Sequence, residues 1–317
     1  MIFNPSHWLH SRSGGNTIVL ATVVALIVGA CVSVTPAGEP ATTVGGPGGA
    51  ILGLVSTLLT ALMLQLNNKS YNMLRSDTAL PAALFTTLML ALPALTIVPG
   101  PGMLLAPAMT GGAWLLFSTY ADQSARRRVF LLFTCISALS FVSPVFIYYL
   151  PVMLLGCVQM RIFDLRTLLA ALIGIVTPPW IAVGSGCVEL DSLPRPDFAT
   201  PDLHIDSPAA ITVLAVAAVV IISGICFASA NLIKVYSYNS RTRAFNGYYT
   251  VLFLATVLLT LIDFNNLTSY LPLLMAMTAY QAAHFFSTRR GGSHSWIGIV
   301  ILMAACWGSF IWYTWII

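Results

Sequence analysis

Only 8% of the 317 residues are charged, so any chemistry must come from a short set of side chains. Arg195 offers a planar guanidinium fork suited to a phosphate or pyrophosphate. Asp191 and Asp197 stand close to it in sequence, and a salt bridge within their own loop is the plainer use of that cation. Asp263 ends an apolar run and is followed by Asn265 and Asn266. An acid at membrane depth is a functional candidate when buried, but this one is expected to reach the outer interface. Arg195, Asp191 and Asp263 are therefore the candidate substrate-binding residues. Arg126, Arg127 and Arg128 form a cationic triplet that can hold anionic lipid headgroups, anchor the topology, or both. His284, near Gln281, could relay protons, whereas a histidine so close to an interface more often snorkels or is hydrogen-bonded. Glu39 is the one charge in a Gly/Pro-rich segment, residues 35–49, where a solvated loop acid is the plain reading.

Other chemistry is missing from the sequence. There is no GxxxxGK, HExxH, GxSxG or DxD, which argues against ATP-driven transport, zinc proteolysis and serine hydrolysis within the chain. Five of the six cysteines lie in apolar runs, where a thiol behaves as a small hydrophobe, and no CxxC occurs. No metal and no cofactor is expected.

The elements that must position these residues follow from apolarity. With 58% hydrophobic residues and a mean hydropathy of +0.87, the chain reads as an all-α polytopic transmembrane bundle, one integral membrane domain over residues 1–317. The net charge of +4 orients helices and does not point to nucleic acid. Val129 to Gly184 reads as the stretch around which the rest is organised. As one helix, its part up to Met160 would be about 48 Å long against a hydrocarbon core of about 30 Å. Cationic flanks at both ends make it a hairpin with its tip near Pro144. A second hairpin covers residues 81–120, broken at Pro99-Gly100-Pro101-Gly102, and Pro178-Pro179 should kink or end the helix after the basic turn.

Repeated along the chain, this logic gives about eleven spans (nine if the short Pro/Gly-interrupted ones are re-entrant), with an acidic outer loop over residues 185–207. Of the 14 lysines and arginines, Arg195 alone then falls outside. The N-terminus is expected in the cytoplasm and the C-terminus in the periplasm. The apolar Val28-Gly29-Ala30-Cys31 loosely matches a lipoprotein cleavage site, but an uncleaved first span is the simpler expectation.

Leu66 to Gly184 resembles an uncharacterised family of polytopic inner-membrane proteins of Bacteroidota-type bacteria. The residues that carry the likeness are Asn67-Asn68, Thr78-Ala79-Leu80-Pro81, Val129-Phe130, Ser140-Phe141 with Pro144, Arg166, and the phrase Leu172-Ile173-Gly174-Ile175-Val176-Thr177-Pro178. The resemblance implies a bacterial inner-membrane location and no activity. The plan of an apolar hairpin, a basic turn and a helix ending in proline also resembles GT-C-type glycosyltransferases and polysaccharide polymerases, which act on polyprenyl-linked glycans at the outer face. That likeness makes Glu39 a candidate catalytic carboxylate, as base or metal ligand. Glu39 departs from the pattern in having no acidic neighbour, and the outer face lacks a second cation beside Arg195. The functional expectation is thus a non-catalytic or accessory component of cell-envelope assembly, in contact with membrane lipids. A GT-C-like enzyme is the alternative, and a transporter the second alternative.

Overall fold

The computed structural model describes residues 11–33, 47–76, 78–97, 100–122, 124–189, 208–235, 238–288 and 295–315, and these are helical with short turns. The helices are α1 (Arg12–Ser33), α2 (Pro47–Tyr71), α3 (Leu80–Leu90), α4 (Ala94–Ile97), α5 (Leu105–Phe117) and α6 (Arg126–Leu139). They continue with α7 (Leu150–Gln159), α8 (Leu165–Gly184), α9 (Pro208–Val235), α10 (Ser240–Ile262), α11 (Leu267–Thr288) and α12 (Ser295–Trp315). Tight 3-10 turns at Pro101–Leu104, Pro144–Tyr149 and Phe264–Asn266 lead into α5, α7 and α11. Five helices are long and apolar enough to cross a membrane: α1, α2, α8, α9 and α10.

The centre is α11 together with α3. Every residue of α3 is buried, as is every residue of α11 from Tyr270 to His284. α11 packs on α3, α5, α9 and α10, and α3 on α1, α2, α11 and α12. The stretch that reads as the organiser lies instead at the edge: α6 packs chiefly on α8, and only 17% of the apolar window of α8 is buried.

Contacts sort the helix ends into two layers. At one, Gly15 meets Ala79, Ser287 donates to the Leu74 carbonyl (3.1 Å), the Ala121 N–H donates to the Met160 carbonyl (3.0 Å), and Gly298 meets Phe286. All described lysines and arginines sit at this basic end. At the far end Gly53 meets Thr96, Gly102 meets Ser269, and Ser309 donates to the Ala91 carbonyl (3.0 Å). The Ala121–Met160 bond brings both flanks of the α6–α7 hairpin to one side, with its tip at the 3-10 turn from Pro144.

Prolines end helices at other points than expected. The run after Pro81 breaks at Ala91–Pro93, before the Pro/Gly cluster, because Pro93 lacks an N–H and restrains Leu92. In contrast, α8 continues through Pro178 and Pro179 to Gly184. Pro179 deprives the Ile175 carbonyl of its helical donor, and the Ser137 hydroxyl of α6 supplies one at 2.7 Å. α5 repeats the device: Pro107 frees the Met103 carbonyl, and Ser56 of α2 donates to it at 2.6 Å. Where no water reaches, such hydroxyls are what lets a helix carry a proline.

Candidate functional site: a buried polar seam

α10 turns a polar stripe inward, Asn246, Thr250, Thr256 and Thr260, all buried. The threonine hydroxyls donate one turn back, Thr250 to the Asn246 carbonyl (3.1 Å), Thr256 to Leu252 and Thr260 to Thr256 (both 2.7 Å), so each donor is satisfied within its own helix, and Thr250 and Thr256 also accept from a neighbour.

At the far end of this stripe Asp263 caps α10 and is 2% exposed. It is therefore held inside the protein at that end of the helix and not exposed at its surface. The 3-10 turn at Phe264–Asn266 folds the chain back, so that the Asn266 amide donates to both carboxylate oxygens (3.0 Å each) and the Tyr270 hydroxyl to one of them (2.7 Å). No lysine or arginine pairs with it among the described residues. Beside it Tyr149, from the hairpin tip, donates to the Thr256 hydroxyl (3.2 Å), its ring 6.5 Å from that of Tyr270.

Towards the basic end the seam crosses three helices. Asn231 of α9 donates to the carbonyl (2.8 Å) and the side-chain oxygen (3.0 Å) of Gln281, whose amide donates to Thr250 (3.1 Å). Tyr280 donates to the Asn246 side-chain oxygen. His284 is 1% exposed, with its ring 5.6 Å from that of Tyr238, and the Arg75 guanidinium stands 4.2 Å from the Tyr238 ring centre. Burial raises the pKa of the Tyr238 phenol while Arg75 draws it down.

The cationic triplet divides. Arg128 pairs with Asp122 (3.1 Å) and donates to the Ser118 carbonyl, so it holds the turn between α5 and α6. Ser124 donors, and then Arg128, keep the Asp122 carboxyl below its ordinary pKa. Arg127 is exposed, and Arg126 is half-buried with its Nε lacking a hydrogen-bond partner. Glu39, Asp191 and Arg195 lie outside the described residues. So do most of the acidic outer loop and residues 28–31 in part, since Cys31 is described only as helical backbone.

At the far end a crevice of about 250 Å³ opens between α4, α9 and α11, walled by Leu92, Leu95, Met103 and Val213 and edged by Thr268 and Ser269. Among the described residues no group of three His, Cys, Asp or Glu side chains could hold a metal ion. No protein family, no curated protein and no solved structure matches this chain.

The arrangement can hold one carboxyl group out of water and tie α9, α10 and α11 together through side chains. Sequence reasoning reached Asp263, Gln281 and His284 and missed Asn231, Asn246, Thr250, Tyr149 and Tyr270. The signal was there in the fourfold spacing of Asn246 and Thr250 and of Thr256 and Thr260, a polar face on a helix that is otherwise apolar.

Proposed function

We propose that this chain crosses a bacterial inner membrane about eleven times, with its N-terminus cytoplasmic and its C-terminus periplasmic, and serves as a non-catalytic or accessory component of cell-envelope assembly. Placing the basic end in the cytoplasm satisfies the positive-inside rule for every described cation. The observation that carries the accessory reading is the seam: apart from the Asn231 side-chain oxygen, which has no partner, its amides, hydroxyls and carboxylate are bonded largely to one another across α9, α10, α11 and the hairpin tip. Such a seam locks a scaffold, and the broad apolar faces left on α8 and α9 can then hold lipids or the spans of other proteins.

The test is complementation of an envelope-glycan defect in a deletion strain. Periplasm-active reporters are fused at Gly46, Gly186 and Ile317, where activity is expected, and at Asn68, Gln123 and Gly291, where it is not. An active reporter at Gln123 overturns the topology.

The far-end crevice favours one second reading, a GT-C-like enzyme whose polyprenyl-linked substrate lies against those apolar walls. Glu39 would act as base or ligand and Arg195 and Asp191 would bind the headgroup. Full complementation by Glu39→Gln and Arg195→Ala removes it. Loss with Glu39→Gln at normal membrane abundance promotes it over the accessory role.

A further inference from the structure

The edge formed by α6 and α8 carries two features that the seam does not use. The first is a pair of arginines at the basic end. Arg126 opens α6, and Arg166 lies exposed in the first turn of α8. α6 packs along α8, so the two helix starts lie side by side, and both arginines act electrostatically, without an ion pair among the described residues, on Asp164, the N-cap of α8. Asp164 is already engaged, accepting the Thr167 N–H at 2.6 Å. With two guanidinium groups and one carboxylate this corner is cationic, and the buried Nε of Arg126 has no acceptor.

The second feature is an open groove of about 320 Å³ on the outer face of α8, lined by Leu172, Ile173, Val176, Thr177 and Trp180. Its position relative to Arg166 is set by helical geometry. Ile173 and Trp180 follow Arg166 by two and four turns, so all three share a face, and the groove lies about 10–20 Å beyond the guanidinium along the axis. Half the hydrocarbon core is about 15 Å thick. A chain hung from a headgroup at Arg166 would therefore run along Leu169 and enter the groove near the bilayer midplane.

We propose that Arg126, Arg166 and this groove form one binding site for an anionic phospholipid, with the guanidinium groups taking the phosphate and the groove taking one acyl chain. Of the basic triplet, Arg126 is the member assigned to this site, whereas Arg128 is spent on Asp122 and Ser118. The planar fork explains why arginine serves here better than lysine. The inference rests on the membrane-spanning reading but not on which side the basic end faces.

The test uses the full chain in nanodiscs, with phosphatidylglycerol or phosphatidylcholine as probe and bound lipid counted by native mass spectrometry. Phosphatidylglycerol should be retained preferentially. Arg126→Gln and Arg166→Gln should each lower that preference about fivefold, while Lys69→Gln, a cation elsewhere at the same end, leaves it unchanged. Val176→Trp, which fills the groove, should weaken phosphatidylglycerol without reference to charge, and soluble glycerol phosphate should compete poorly. Equal retention of both lipids, equal loss with Lys69→Gln, or full competition by glycerol phosphate overturns the site. Failure here leaves the reporter fusions, and hence the topology, untouched.

Discussion

Replacing Ser137 by alanine removes a side-chain donor from the Ile175 carbonyl, 2.7 Å away on α8. That carbonyl lacks its helical partner because residue 179 is proline. Interhelical hydrogen bonds measured in membrane bundles average about 0.6 kcal/mol and reach about 1.7 kcal/mol. A carbonyl left unpaired away from water costs about 1–3 kcal/mol. Ser137→Ala should therefore destabilise the protein by about 1–2 kcal/mol. The decisive experiment is a cycle with Pro179→Ala, which restores a backbone N–H one turn beyond Ile175. In that background the Ser137 hydroxyl becomes redundant, and Ser137→Ala should cost only a few tenths of a kcal/mol. Unfolding of the purified chain in mixed micelles, titrated with a denaturing detergent, reads all four corners. If Ser137→Ala costs the same with proline and with alanine at 179, the hydroxyl is not replacing the missing amide and the reasoning is wrong.

Close approach predicts a second effect: a Cβ on Gly174 would stand 2.7 Å from the Phe130 carbonyl oxygen, so Gly174→Ala should force α6 and α8 apart and cost about 1–3 kcal/mol in the same assay. Gly184→Ala, which meets nothing within 4 Å, is the matched control, and equal stability of the two variants refutes the contact. At Asp263, Asp263→Leu should strand the Asn266 amide and the Tyr270 hydroxyl at about 1–3 kcal/mol for each, whereas Asp263→Asn keeps an acceptor and stays within about 1 kcal/mol of wild type. Complementation lost with a stable Asp263→Asn protein would show that the charge itself is used. Asp122 and Asp164 are held below the ordinary carboxylate range by Ser124 and Thr167 donors, so the stability they contribute is complete above about pH 4 and lost as pH falls through their lowered values. Melting temperature in detergent should drop below about pH 4, and less so in Asp164→Asn; an identical drop in both would refute the assignment.

Much of the layout was legible because charge sidedness is a one-dimensional signal. Cations at both ends of residues 129–160 imply a return, and the Ala121–Met160 bond is that return. What failed was local. Whether proline ends a helix depends on who supplies the missing donor, and nothing within α8 announces Ser137, 38 positions earlier in the chain. At Pro93 the freed Met89 carbonyl takes the Leu92 N–H instead (3.3 Å), a tighter turn that stops the helix, and Ser309 of α12 donates to the Ala91 carbonyl beyond its end (3.0 Å). The burial of Asp263 was hidden for a similar reason: an acid after an apolar run looks exposed until a 3-10 turn brings Asn266 and Tyr270 over it.

Which helix sits at the centre is not legible in apolarity, because inferring burial from it would choose α8 over α11. That inference holds when the solvent is water. In a bilayer the solvent is itself apolar, so helices gain little by hiding leucines from it, and it is polar groups that must turn inward. α11 obeys this rule. Its 22 residues make it as long as the helices apolar enough to cross a membrane, yet it is not one of them, because Tyr270, Thr278, Tyr280, Gln281 and His284 interrupt it. Those same residues are buried, and through Asp263, Asn246, Thr250 and Asn231 they fix α9 and α10 against it. α8, largely apolar beyond its first turn, has few polar groups to bury and stays at the edge. The helix to place first in such a sequence is accordingly the long one with the most hydrogen-bonding groups, and its neighbours are those whose polar residues recur at helical spacing.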